Sequence, residues 1–130
     1  MPHSVPPSLR AWLLLDFLVD LVFAIPLFLL PQDTLRFLGW ITADPVATRL
    51  VAAALLAFAG RSLLLRTGSF EAVRELVSFK VSWSLAAAAG LLLSAAQGAP
   101  LLSWAFAAAF AGAAGIWGFY ARRLRRLAAG

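Results

Sequence analysis

Two aspartates four residues apart, Asp16 and Asp20, stand inside an apolar run, and Arg61 and Lys80 stand inside two others. Four-residue spacing stacks the two carboxylates on one face of a helix. Ionisable groups at such depth cost about 2.5–3.5 kcal/mol each on insertion scales, so they need a reason to be there. The chemistry open to them is ion pairing or proton carriage. Burial raises the pKa of a carboxylic acid and a nearby cation lowers it. Asp20, the deeper acid, is therefore the candidate proton carrier, and Asp16 the candidate ion-pair partner. Ser84, one turn beyond Lys80, is placed to donate a hydrogen bond at the level of Asp20. The formal charges of Asp16, Asp20, Arg61 and Lys80 sum to zero, which suits a compensated network that fixes helix packing. Inward snorkelling of Arg61 and Lys80 would loosen that network.

The elements that must position these groups are four apolar segments of about 20 residues, the length of helix that crosses about 30 Å of hydrocarbon. They run from about 11 to 30, 46 to 65, 76 to 96 and 100 to 120, between an N-terminal tail (1–9) and a basic C-terminal tail (121–130). Of the 130 residues, 62% are hydrophobic and 13% charged, against about 45–50% and about 25% for soluble domains. From Val81 to Ala121 there is no charged residue at all. So small a globule has too little interior to hide that stretch from water. Backbone groups in lipid must bond internally, which selects helices, and runs such as Ala86–Ala89 do not alternate as barrel strands would. The expected fold is all-α, a four-helix transmembrane bundle. Asp16 and Asp20 interrupt the first segment and its small-residue cleavage candidate is poor, so it reads as a retained helix and not a signal peptide.

Local signals punctuate the segments. Asp44-Pro45 reads as an N-cap followed by proline at the first helical position. Ser69 is a candidate N-cap for the third span, with Glu71 and Glu75 as helix-end charges at its positive end. Gln97-Gly98-Ala99-Pro100 is a tight turn, making the last two spans an antiparallel hairpin. The link from Pro31 to Asp44 carries Leu35, Phe37, Leu38 and Trp40 among polar residues, and predicts a short amphipathic interfacial segment ended by Gly39. Pro26 is placed to kink the first span and free a backbone carbonyl near Val22.

Arginines set the orientation. Arg10, the Arg61, Arg66 and Arg74 group, and Arg122, Arg123, Arg125 and Arg126 fall on one side; Arg36 and Arg49 fall on the other. The basic excess predicts both termini on the cytoplasmic side of a cell membrane. Trp12, Trp40, Trp104 and Trp117 fall near the expected interfaces, as an aromatic belt does. Arg122, Arg123, Arg125 and Arg126 serve as a topology anchor or a contact for anionic lipid headgroups, each adding about 1 kcal/mol near the surface. Small residues recur at four-residue spacing in the last span: Ala108 and Gly112, Ala111 and Gly115, Ala114 and Gly118. Such surfaces let helices approach closely, within the chain or between protomers of a homo-oligomer or larger membrane complex.

With no cysteine and one histidine, His3, in a Pro-rich tail, neither a metal nor another cofactor is expected. The net charge of +5 follows the helix ends and is not interleaved with surface aromatics, so it speaks for a bilayer and against nucleic acid. No phosphate loop, nucleophile elbow or zinc signature is present.

Pro31 closing the first span, the amphipathic link through Gly39, Asp44-Pro45, and a small-residue helix containing Gly60 resemble the small four-helix DoxX-like proteins of bacterial inner membranes. The resemblance extends to length and span number along the whole chain; it implies an architecture and no catalytic residues. Small multidrug transporters share the size and an acid in the first span. Their single essential glutamate contrasts with two aspartates opposed by bases here, which argues against a carrier of organic cations. Two functions are expected from these residues: a non-enzymatic structural or accessory membrane component, or a proton- or ion-coupled small-molecule transporter using Asp16 and Asp20.

Overall fold

The computed structural model describes residues 3–130. It is all-helical, with no strand among the described residues: α1 (Pro7–Leu29), α2 (Pro31–Phe37), α3 (Pro45–Leu65), α4 (Phe70–Ala96) and α5 (Leu102–Ala129). All but α2 are long and apolar enough to cross a membrane. The described residues divide into two compact units, residues 7–67 and residues 68–130 together with residues 3–6.

In the first unit α1 packs on α3, with the short α2 touching both. The connection is built from local signals. Pro31 stands in the first turn of α2, where its missing N–H is no loss. Past the last turn, Gly39 adopts φ 103°, a conformation that glycine takes without a Cβ clash. Its N–H reaches the Arg36 carbonyl at 3.0 Å and that of Trp40 reaches Leu35 at 2.8 Å, the paired bonds of a Schellman cap. The Asp44 carboxylate then accepts from the N–H groups of Val46 and Ala47, opening α3 at Pro45. Two of the C-terminal carbonyls of α1 find donors as well. Pro26 O accepts from the Leu30 N–H and the Thr34 hydroxyl, and Phe28 O from Arg49 Nε at 3.1 Å. At the other end of the unit, Arg10 Nη1 donates to the Arg66 carbonyl just past α3.

In the second unit α4 and α5 form the antiparallel hairpin that the Gln97–Pro100 turn predicts. Gly98 (φ 93°) repeats the cap of Gly39: its N–H bonds Ala95 O at 3.2 Å, and that of Ala99 bonds Ser94 O at 3.0 Å. Ser69 Oγ accepts from the Ala72 N–H and starts α4. The seam of this pair repeats at steps of three, four and seven residues. On α4 it runs through Val73, Val77, Lys80, Ser84 and Ala88, and on α5 through Ser103, Ala107, Ala114, Trp117 and Leu124, all buried. Trp83 and Phe110 meet edge to face beside it, ring centroids 6.3 Å apart.

Helices of 27 and 28 residues are about 40–42 Å long, some 10 Å more than the hydrocarbon they would cross. The excess is the charged end of the hairpin: Glu71, Arg74 and Glu75 on α4, and Arg122 to Arg126 on α5. The sequence windows close at 76 and 120 because those turns are polar, yet arginine and glutamate are good helix formers and the helices continue through them. Outside the seams, large apolar side chains face outward on every long helix, Val22 and Leu64 being 69% and 72% exposed. Apolar surface this extensive has no place on a water-soluble monomer; in lipid it is the solvated face.

Candidate functional site

Asp16 and Asp20 lie on the stripe of α1 that includes its buried residues Leu9, Leu13 and Ala24, and both are half-buried. The partner on α3 differs from the expected one. Arg61 is exposed, which corrects its assignment to the buried charge set; one residue of helix is a rotation of about 100°. The inward position belongs to Ser62, fully buried in line with Ala52 and Ala59. Its hydroxyl has one proton and two acceptors in reach, the Phe58 carbonyl at 3.0 Å and Asp16 Oδ2 at 3.5 Å. The back-bond to the helix is thus the shorter, and the carboxylate sits at the outer limit of hydrogen bonding. Ser62 was detectable as the continuation of the Ala52–Ala59 seam one turn further on, a signal hidden by the charge of its neighbour.

Lys80 is only 4% exposed, and its ammonium lies 5.4 Å from the centroid of the Trp117 ring. It remains in the seam of α4 and α5 and does not snorkel. Trp117, itself buried, leaves the aromatic belt to which its sequence position assigned it and becomes the platform for this cation, a contact that strengthens as it is desolvated. Trp12 and Trp104 keep outward-facing positions, 37% and 49% exposed. Ser84 is buried one turn beyond Lys80, and the hydroxyl of buried Ser103 finds no partner among the described residues.

Of the small-residue rows of α5, one member alone lies in its seam. Ala108, Ala111, Gly112 and Gly115 are exposed, Gly118 is half-buried, and only Ala114 is buried. A Cβ at Gly112, Gly115 or Gly118 would meet nothing within 4 Å. The small residues buried in the α5 seam are Ser103, Ala107 and Ala114, at steps of four and seven residues.

The polar end of α5 carries a second group. Arg122, Arg123, Arg125 and Arg126 are exposed, while Leu124 between them is fully buried. Three of the four, Arg122, Arg123 and Arg126, line an open groove of about 360 Å³ together with Phe119. Arg125 falls outside it. On α4, Glu71 pairs with Arg74 at 3.4 Å, an exposed helix-end contact of little energetic weight. Among the described residues no cluster of His, Asp and Glu could hold a metal ion.

No protein-family model, curated protein or solved structure matches this chain. What the fold itself defines is a membrane protein with four helices of spanning length.

Proposed function

We propose that the protein is a non-enzymatic structural or accessory component of the cell membrane, with the DoxX-like architecture its punctuation resembles. The observation that carries this reading is the use of Lys80: an intramembrane cation held against the Trp117 ring at 5.4 Å, inside a helix seam. A cation seated between two packed helices is a packing element. Asp16 beside the buried Ser62 serves α1 and α3 in the same way.

The second reading, a proton- or ion-coupled transporter, draws on Asp20, which lies about 15 Å along α1 from Arg10, near the expected midplane. Proteoliposomes carrying a pH-sensitive dye separate the two. A packing role leaves proton flux in Asp20→Asn indistinguishable from that of the parent chain. Loss of a parental flux in that variant, with the fold intact, would establish the transporter.

The proposed orientation places both termini on the cytoplasmic side, supported by the arginine distribution. The chain has no native cysteine, so single cysteines report cleanly. Ala99→Cys should react with a membrane-impermeant thiol reagent on intact cells, and Ala129→Cys only after permeabilisation. The opposite pattern would reverse the orientation.

A further inference from the structure

We infer that Phe119, Arg122, Arg123 and Arg126 form a defined site for the phosphate headgroup of an anionic phospholipid. The inference rests on the chain lying in a bilayer and is independent of its accessory role. Spacing of three, four and seven residues from Phe119 brings the arginines onto one helical stripe. That stripe is turned away from Trp117, Tyr120 and Leu124, the buried face of the same helix. The four side chains line the open groove of about 360 Å³, whose walls are almost wholly apolar. Among the described residues no carboxylate pairs with Arg122, Arg123 or Arg126, so three guanidiniums face outward without an internal counter-ion.

The vertical order matches a lipid molecule. Phe119 is 60% exposed and closes the apolar part of α5; the arginines begin one turn later, about 5 Å further along the axis. An acyl chain lying on the Phe119 ring therefore brings its phosphate to the height of Arg122 and Arg123, with Arg126 one turn above. Guanidinium groups bind phosphate oxygens through paired, charge-assisted N–H bonds. A zwitterionic phosphatidylcholine headgroup carries its own compensating cation and gains less from the same three charges.

Arg125 provides the internal control. It bears the same charge in the same turn but lies outside the groove. Diffuse attraction to a negative surface would count Arg125 and Arg126 equally; a built site does not.

The test is native mass spectrometry of the full-length protein, delipidated and exchanged into nanodiscs of phosphatidylcholine with phosphatidylglycerol. The parent chain should retain phosphatidylglycerol preferentially. Arg126→Gln should lower that retention about fivefold and Arg122→Gln to a similar degree, the scale of one surface arginine, while Arg125→Gln stays near the parent value. Circular dichroism should show unchanged helix content in all three, since each residue is exposed. Equal losses for Arg125→Gln and Arg126→Gln would overturn the site in favour of diffuse charge, and absence of any preference for phosphatidylglycerol would overturn it outright. Displacement of retained lipid by millimolar inorganic phosphate would reassign the groove to a soluble anion. Membrane integration, checked by alkaline extraction, should persist in every variant.

Discussion

Trp117→Ala should lower the unfolding free energy of the protein by about 3–5 kcal/mol, the range for removing a buried large aromatic side chain. Two losses coincide at this position. The indole fills the seam between α4 and α5, and its face is the surface against which the Lys80 ammonium rests. Trp117→Phe keeps an aromatic face and most of the volume, and should cost markedly less. Reversible unfolding in mixed micelles of increasing SDS fraction, followed by circular dichroism, measures both. A parental midpoint for Trp117→Ala would mean that the α4–α5 seam does not depend on this ring. Near-equal losses for Ala and Phe would instead assign the stability to indole-specific contacts.

The second large effect concerns the other unit. Ala59→Leu should destabilise by about 1–3 kcal/mol, because a packed seam has no room for three additional carbons. Ala59 is fully buried and stands one turn before Ser62, whose hydroxyl meets Asp16 of α1, so this line of α3 is turned toward α1. Ala57→Leu is the matched control. Ala57 is exposed on the same helix, and the same substitution there should change stability by no more than about 0.5 kcal/mol. The same SDS titration reads out the difference, and equal behaviour of the two variants would displace the seam from Ala59.

The local parts of this fold were legible in the sequence. Asp44-Pro45, Ser69, Gly39 and Gly98 each act through their own backbone neighbourhood, so each cap appears where its residue type requires it. Four spans followed from hydropathy for the same reason: apolar length is a property of the segment alone. Facing was much less visible. In a soluble helix the polar side marks what points outward, but in a span lipid solvates one apolar face and protein covers another. Alanine occurs on both sides of α5, buried at Ala107 and exposed at Ala108. The Gly112–Gly115 rows were therefore as plausible a contact as the true seam. Charge misled in the same way at Arg61, where the uncharged neighbour Ser62 occupies the inward position.

Part of the site could be read and part could not. The arginine cluster was evident as charge, and its division into a groove with Arg125 left outside depends on helical phase relative to the buried Leu124. Phe119 carried a signal, three and four residues before Arg122 and Arg123, but an aromatic at the end of an apolar span has an ordinary use in the interfacial belt. Lys80 against Trp117 pairs residues 37 positions apart on different helices. Only the register of the α4–α5 hairpin, fixed at the Gly98 turn, brings them to the same height.

That turn also bears on how the chain reaches its place during biosynthesis. In the orientation proposed above, the segment that α4 and α5 must deliver to the far face is Gln97 to Leu101, and no ionised side chain travels with it. The pair can enter the bilayer as a preformed hairpin, its leading tip already closed by the Gly98 and Ala99 amide bonds. The α1–α3 pair has a heavier cargo. Its leading link carries Asp33, Arg36 and Asp44 across, followed by Arg49 in the first turns of α3, and charged side chains pass hydrocarbon only at considerable cost. The two halves of one small protein thus place different demands on the insertion machinery, and the first-made half is the more demanding.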